Sequence, residues 1–487
     1  MFKVLFIKEV QDSLLDYRSW IVTALCLVLI PLGMFVSRKD YESRLNEHKR
    51  DIELYLETSK GNVGSRFIAQ GFRPPSELSV FSLGFKDHLP HRVETTWEGY
   101  FNIYSKLRNT NLQSVLFGKI DFTFMVINFL SLLAIIFTFS SVSSEKEKGT
   151  IKLVLSNNVP RATYIMAKIF GGFTVFLAAF IVSFLVGLLI VQKSESINIF
   201  KPEFIQATLL ILLFTVLFLF MLFNLGTWIS TATGDSTNSI ILLLFLWMII
   251  TLGIPRVAPM IANIITPVKS EELIQKEIQV TRRQLENERN IKGKNILESM
   301  VAERNIHFND FFGEIYNEEY RPLREEFDLK SQEINDEYAS RISSTIHKIT
   351  NDHQLEKRNQ ANLTRNLSRL SPIGSYSFLI SELSGTGLCE IDNFYRYSNQ
   401  FQDKVLKDIY SNYIYRRYWY QGFQTSGASP KEGFDEKNIN VPVIENYKSP
   451  TLQTVFKEIW IDMVILILVT IIFNYGAFVS FLRFDVR

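Results

Sequence analysis

Six long stretches of the chain contain no charged residue and consist mostly of apolar side chains. They are Trp20–Val36, Phe122–Val142, Ile169–Val191, Phe204–Ser230, Ser239–Ile254 and Met463–Leu482. A helix needs roughly 17–25 mostly apolar residues to cross about 30 Å of hydrocarbon. The fifth stretch reaches that length only if Asn238 and the apolar residues beyond Pro255 join the helix. The sequence therefore predicts an all-α polytopic membrane protein with six transmembrane helices, and it excludes a soluble enzyme.

The composition supports this fold class and narrows the partners. Hydrophobic residues make up 47% of the 487 residues and charged residues 21%, and the charges lie between the apolar stretches. A net charge of +2 provides no general attraction for nucleic acid. Cys26 lies in an apolar stretch and Cys389 in a polar region, so no disulfide between them is expected.

Lysine and arginine in the short loops predict the orientation, because such residues accumulate on the cytoplasmic side. With the N-terminus inside, ten basic residues lie in the inside segments 1–19, 143–168, 231–238 and 483–487. The short outside loop 192–203 carries only Lys193 and Lys201. Both termini are therefore expected in the cytoplasm, with residues 37–118 and 264–458 outside.

The N-terminal residues predict an amphipathic helix. Phe2, Phe6, Val10 and Leu14 recur at four-residue spacing. Such a helix would lie on the inner membrane surface, although an ordinary soluble helix is the alternative. The first apolar stretch follows without a cleavage-site pattern, so we expect it to remain as a membrane anchor rather than a cleaved signal peptide.

The large second outer segment is predicted to be mainly helical, with a helical hairpin that stands off the membrane. Its apolar residues recur at spacings of seven, four and three, and charges of both signs lie between them. These residues are Phe327, Ile334, Tyr338, Ile342, Ile346 and Ile349. The first outer segment is predicted to start as a helix and to become irregular around Pro74, Pro75 and Pro90.

These patterns divide the chain into five parts. They are 1–36 with the interfacial helix and first span, 37–118 outside, 119–263 with spans two to five, 264–458 outside, and 459–487 with the sixth span and a short tail.

Several kinds of catalytic chemistry lack a sequence pattern. There is no phosphate-binding Walker loop and no His-Glu-x-x-His motif. His88 and His91 form an isolated pair without a third ligand, so no metal site is predicted. Asp121 and Asp462 are expected at the edges of the spans, where water reaches them, which disfavours an ion-driven transporter.

The inside loop 143–168 has the most distinctive pattern, Ser-Glu-Lys-Glu-Lys-Gly-Thr from Ser144 to Thr150, followed by a leucine-rich stretch. This pattern resembles that of ABC-2-type transporter permeases, and the order of spans does too, in a branch with a large extracytoplasmic domain. The matching positions are Glu145, Glu147, Gly149, Thr150, Ser156 and Lys168, with Pro160 and Arg161 adjacent where the family more often separates them.

The residue types in this loop suit a docking element. Gly149 can end a helix because it takes left-handed geometry without steric cost, and Pro160 sets a turn before the next helix. Leu153, Val154 and the neighbouring apolar residues offer a face for a cleft, and Glu145 and Glu147 could pair with basic groups on a partner. The alternative is a solvated loop beside the membrane.

The resemblance implies a non-catalytic permease subunit of an exporter in a bacterial cytoplasmic inner membrane. It implies that the loop couples to a separate ABC ATPase, which carries ATP and Mg²⁺, while this chain holds no cofactor. A second permease subunit, identical or related, and membrane lipid are the further expected partners, and an envelope protein remains open. A membrane-anchored sensor or scaffold without transport is the alternative function, and the substrate is left undetermined.

Two further features keep alternative interpretations. Gly171, Gly172, Ala178, Ala179 and Gly187 give the third span a face of small residues, which suits either close helix contact or lipid. An aromatic and basic run at 410–420 suits packing or a membrane-surface belt better than a ligand site.

Overall fold

A computed structural model gives the structure of the chain and describes residues 1–61, 68–96, 101–105, 120–156, 159–304, 321–411 and 447–483. Within these residues, six helices are long and apolar enough to cross a membrane, which confirms the six predicted spans. The aromatic run at 410–420 lies almost wholly outside the described residues.

The described residues form helices that are numbered here in chain order. They are α1 (Phe2–Leu15), α2 (Tyr17–Gly61), α3 (122–138, π-helical at Met125–Leu130), α4 (Ser143–Glu147), α5 (Thr150–Ser156), α6 (Arg161–Gln192), α7 (Pro202–Ala232), α8 (Ser236–Ile265), α9 (Glu271–Glu303), α10 (Arg321–Ser368), α11 (Pro372–Leu383), α12 (Leu388–Ser411) and α13 (Leu452–Leu482). The spans are α2, α3 with α4, α6, α7, α8 and α13. We call the membrane side that carries α1, α4 and α5 the loop end, and the opposite side the hairpin end.

The first span does not stop where its apolar residues stop. The helix α2 runs 45 residues without a break and continues past Val36 to Gly61. Ion pairs one turn apart support the polar half, since Arg38 lies 3.0 Å from Glu42 and Arg44 lies 2.7 Å from Asp40. A single continuous helix therefore links the membrane to the polar region at the hairpin end.

The fifth span forms by the extension that its short apolar stretch required. The helix α8 begins at Ser236, where the Asp235 carboxylate caps the backbone N–H of Asn238, and it continues past Pro255 to Ile265. Its middle turn, Ile249–Gly253, is π-helical. It is the least buried of the six spans, so most of its surface faces away from the rest of the chain.

Small residues let the membrane helices approach one another closely. A Cβ atom at Gly187 would lie 2.2 Å from the sulfur of Met34 on α2, and one at Gly171 would lie 2.8 Å from Glu9 Cβ on α1. Ala178 is exposed on the same helix. The small-residue face of α6 therefore serves helix contact at these glycines and lipid at Ala178.

The helices α7 and α13 form a tightly joined pair. Asn474 Nδ2 donates to Asn224 Oδ1 over 2.9 Å within the membrane, where an unpaired amide would be costly. One turn nearer the loop end, the Trp228 ring packs on Phe473 and leaves room only for a hydrogen at Gly476. Polar and apolar contacts together hold these two spans against each other.

The two polar regions at the hairpin end join through a small sheet that the sequence did not predict. Three antiparallel strands lie in the order β1 (Ile68–Phe72), β2 (Pro90–Thr96) and β3 (Phe101–Ser105). Pro90, which suggested irregular backbone, is the first residue of its strand, a position that tolerates proline. Ala69, Val93 and Phe101 pack on Phe394 and Phe401 of α12, so residues far apart in sequence share one core.

The long helices α9 and α10 form the predicted antiparallel hairpin. Ion pairs along their length join them, among them Glu271 with Lys357, Lys292 with Glu337, and Arg304 with Glu326. From one pair to the next, the residue number on α9 rises while that on α10 falls by nearly the same amount, so the two helices are antiparallel. Ile342 and Ile346, two of the periodic apolar residues, form a buried seam with Ile274 and Ile278 of α9.

The short helix α11 enters the membrane part from the hairpin end and does not cross it. The Tyr376 ring stacks on Phe218 of α7 with ring centres 4.3 Å apart, and its hydroxyl lies 2.9 Å from Thr215. Ser371 donates to the carbonyl of Ile250 on α8 over 2.7 Å. At 12 residues, α11 is about 18 Å long. This is too short for a span, so apolar length does not predict that the helix is buried among the spans.

The expectation that Asp121 and Asp462 are reached by water is wrong. Asp121 is buried, and its carboxylate accepts backbone N–H groups from Phe124 at 2.6 Å and Leu83 at 2.7 Å. Asp462 has no exposed surface and binds two arginines. Segments from the hairpin end cover both positions, which the position of an aspartate along a span cannot reveal.

Candidate functional site at the loop end

The loop between the second and third spans contains two short helices, α4 and α5, that are separated by only a few residues. The helix α4 ends at Glu147, Gly149 has φ of +70°, and α5 begins at Thr150. Because no atom lies within 4 Å of the position of a Cβ at Gly149, only its backbone conformation demands glycine. The predicted helix end at Gly149 is therefore present.

A buried lysine at the start of the third span joins three parts of the chain. Lys168, 7% exposed, places its Nζ 2.9 Å from Glu145 of α4 and 3.2 Å from both carboxylate oxygens of Glu9 on α1. The hydroxyl of Tyr164 donates to Glu145. A buried ammonium group is stable only when it is paired, so these four residues, the loop-end cluster, hold α1, α4 and α6 together.

Burial also affects the carboxyl group that α1 contributes. Loss of water around Glu9 raises its pKa, and the nearby Lys168 opposes that effect. Because Gly171 has no side chain, α1 can approach α6 closely enough for this contact. The apolar residues Phe2 and Leu14 remain exposed on α1, as an interfacial helix requires.

The two other charges of α4 bind the turn between α7 and α8. Lys146 Nζ donates to the carbonyls of Thr231 and Thr233, the latter at 3.1 Å. Carbonyls at a helix end lack partners within the helix, so a cation there is favourable. The Glu147 carboxylate accepts the backbone N–H of Ser236 at the start of α8. The loop and this turn therefore form one unit.

The first residue of α6 binds the last turn of α13. Arg161 Nη1 donates to the carbonyl of Leu482 over 2.8 Å. One turn further along α6, the Tyr164 ring stacks on Phe481 with ring centres 5.4 Å apart. Pro160 directly precedes this contact and starts the helix from an extended backbone. The predicted Pro160–Arg161 pair thus attaches the loop to the sixth span.

The helix α5 presents a mixed surface to solvent. Ile151 is buried in the core of the membrane part, whereas Leu153 is 68% exposed, and Thr150, Lys152 and Ser156 are exposed beside it. A leucine so exposed among polar and basic residues suits contact with a partner protein. Among the described residues, no group of three potential metal ligands occurs.

The structure thus assigns the predicted residues to two sets. Gly149, Thr150 and Ser156 lie on or next to the exposed helix, while Glu145, Glu147 and Arg161 bind other parts of the chain. Glu145 and Glu147, which are predicted to pair with basic groups of a partner, each have a partner within the chain.

Sequence reasoning missed Glu9 and Tyr164. Glu9 binds Lys168, 159 positions away, and Tyr164 binds Glu145, 19 positions away, and no local pattern marks such contacts. The one available signal was a glutamate within an otherwise regular amphipathic helix.

A comparison with protein families finds a match that spans nearly the whole chain. The model described as ABC-2 family transporter protein matches residues 4–486. A comparison with the curated proteins finds no match.

Proposed function

The chain belongs to the ABC-2 transporter family, and on that premise we propose that it is the membrane-spanning subunit of an ATP-driven exporter. A separate ATPase subunit binds ATP and Mg²⁺ and performs the hydrolysis. This chain contributes the path or the movement, not catalysis. The substrate is moved across the cytoplasmic membrane of a bacterium or taken out of it.

The exposed helix α5 carries this proposal as the element that docks on the ATPase. It offers Leu153 to an apolar cleft, with Lys152 and Ser156 for polar contacts at the rim. The bonds of Glu145 and Lys146 fix the base from which α5 projects. A docking helix on a rigid base can pass a movement onward, whereas one on a loose loop would absorb it.

A second permease subunit, identical or related, fits against the exposed face of α8. This helix is the least buried span, and its outward apolar residues include Ile241, Phe245 and Met248. Membrane lipid covers the remaining apolar surfaces.

The distribution of basic residues supports an orientation with both termini and α5 in the cytoplasm. A membrane-impermeant thiol reagent applied to intact cells should then modify Ser344→Cys, on the exposed side of α10, and leave Ser156→Cys unmodified. Modification of Ser156→Cys in intact cells would refute this orientation.

The docking assignment is tested by co-purification of the ATPase with the permease. Leu153→Asp places a charge at the centre of the proposed contact, so ATPase recovery should fall about tenfold or more. Leu329→Asp is the matched control, since Leu329 is 62% exposed on α10 at the opposite end of the molecule. If Leu153→Asp retains full ATPase binding and full transport, the docking assignment fails, and a membrane-anchored scaffold becomes the better interpretation.

A further inference from the structure

A buried ionic joint connects the hairpin to the sixth span. Asp462 of α13 accepts hydrogen bonds from Arg365 Nη2 at 2.6 Å and Nε at 3.2 Å, and from Arg369 Nε at 2.8 Å and Nη2 at 3.0 Å. Arg365 lies in the last turn of α10 and Arg369 directly follows the helix, with its N–H bonded to the Arg365 carbonyl at 3.0 Å, so the two arginines present one face. We call these three residues the junction cluster.

The geometry of the junction cluster resists bending. Each planar guanidinium contacts the carboxylate through two nitrogens, which fixes direction as well as distance. Arg365 also donates to the carbonyl of Glu458 over 2.8 Å, so it grips the backbone of α13 one turn from Asp462. Because Asp462 is fully buried, water cannot replace its partners.

The helix α11 also packs against the junction cluster. It follows α10 after three residues and stacks Tyr376 on Phe218 of α7. Its Glu382 carboxylate lies 3.7 Å from Arg365 and accepts backbone N–H groups of Leu388 and Cys389. The end of the hairpin is therefore attached to both members of the α7–α13 pair.

The α7–α13 pair also binds the loop 143–168 at the loop end. Lys146 binds the last carbonyls of α7, and Arg161 binds the last carbonyl of α13. The helix α13 has 31 residues and is about 46 Å long. One packed pair of helices thus runs from the docking loop to the joint with α10.

From this continuous set of contacts we infer that the α7–α13 pair and the hairpin move as one body, with the junction cluster as the positioning joint between them. The inference rests on the proposed function, because the ATPase at α5 supplies the movement. The hairpin is then the output of the cycle: nucleotide binding at the loop end displaces α9 and α10 on the far side of the membrane. Coupling between the ATPase contact and the hairpin requires an element with two positions, and the state of each site must shift the balance between them.

Distances between spin labels in the complex of permease and ATPase test the inference. One pair, Ser344→Cys with Lys193→Cys, reports the hairpin against the end of α6. The other pair, Lys148→Cys with Lys3→Cys, reports the docking loop from an exposed position outside the proposed contact. Cys26→Ala and Cys389→Ala remove the native thiols. Both distances should shift between the nucleotide-free state and the state trapped with Mg·ATP and vanadate.

The variant Asp462→Asn removes the charge of the joint and nearly keeps its shape. It should lose most of the hairpin shift while the loop shift and ATP turnover remain, which a purely stabilising role does not predict. Arg369→Lys keeps the charge but loses the fork, so it should lose part of the shift; it also serves if Asp462→Asn does not fold. Glu337→Gln breaks the exposed pair with Lys292 inside the hairpin and should leave both shifts unchanged.

Each contrary result identifies what fails. A loop shift without a hairpin shift in the unmodified permease overturns the inference and leaves the proposed function intact. A full hairpin shift in both Asp462→Asn and Arg369→Lys overturns the role of the junction cluster. The absence of both shifts overturns the proposed function as well.

Discussion

The loop-end cluster and the junction cluster both bury a charge between helices, but they do so with opposite signs and different side chains. At the loop end one lysine lies between two carboxylates; at the junction one aspartate lies between two arginines. An ammonium on a flexible stem tolerates changes of direction, whereas a guanidinium fork does not. The loop-end cluster therefore holds the base of α5 while tolerating small changes of direction, and the junction cluster also fixes the direction of the contact.

The clusters also differ in their access to water. Asp462 has no exposed surface, while the side chains of Glu9 and Glu145 remain 21% and 30% exposed. A broken pair at the loop end can therefore be partly rehydrated, and one at the junction cannot. This difference sets the order of the effects below.

Asp462→Ala should be the most damaging change. It leaves two guanidinium groups in a buried site without their acceptor, which typically costs about 3–5 kcal/mol. Denaturation of the purified permease in detergent measures the loss. Glu458→Ala, on the same helix but half-exposed, should cost under about 1 kcal/mol. Equal losses for the two variants would contradict the assignment of Asp462 as the centre of the joint.

The pH dependence of stability should reveal the carboxyl group beside the junction cluster. Burial raises the pKa of Glu382 to about 7 despite the nearby Arg365 and two backbone N–H groups. Between about pH 4.5 and 7 the folded state keeps this proton while the unfolded state loses it, so stability falls as pH rises. The shift corresponds to about 3 kcal/mol across that window.

Glu382→Gln isolates this effect. The difference in unfolding free energy between the original permease and the variant should change by that amount between pH 4.5 and 7, and little above pH 8. Glu9→Gln provides a comparison at the loop end, where burial also raises the pKa of the carboxyl group. A pH dependence that Glu382→Gln leaves unchanged would assign it to another group.

Lys168→Met should have an intermediate effect. It keeps the apolar stem and removes the ammonium, so Glu9 and Glu145 lose their shared partner. Because both carboxylates are partly exposed and can be rehydrated, the expected cost is about 1–3 kcal/mol. Limited proteolysis should show faster cleavage around α1, with the hairpin unaffected. A cost as large as that of Asp462→Ala would remove the proposed difference between the clusters.

The apolar content and periodicity predicted the spans and the hairpin because these depend on local sequence. Ile342 and Ile346, for example, recur at helical spacing, and both lie in the buried seam of the hairpin. The π-helical turn in α8 did not prevent a correct prediction of that span, since its apolar residues continue through it.

The features that local patterns missed all join distant parts of the chain. Arg365 and Arg369 look like ordinary charges of a solvated helix, and only the fold brings them to Asp462, 93 or more residues away. The sheet was missed for the same reason, since Phe394 completes a core begun at Ala69. In the loop, the residue types predicted the turn at Gly149 but not the internal partners of Glu145.

The smallest predicted effect on stability concerns that turn and sharpens the contrast at the loop end. Gly149→Ala puts a side chain on a backbone with φ of +70°, where no neighbouring atom obstructs it. The cost is therefore conformational alone, about 1 kcal/mol. Gly149→Asn should cost less, because asparagine tolerates left-handed geometry. The turn directs α5, so a strained turn that relaxes by changing the direction of the helix weakens the contact with the ATPase. About 1.4 kcal/mol corresponds to about a tenfold loss of affinity. Titration of the ATPase against permease in nanodiscs should give affinities in the order glycine, asparagine, alanine. If alanine and asparagine weaken binding equally, the side chain itself and not the turn disturbs the contact. The ATPase, more than the loop-end cluster, then fixes the position of α5.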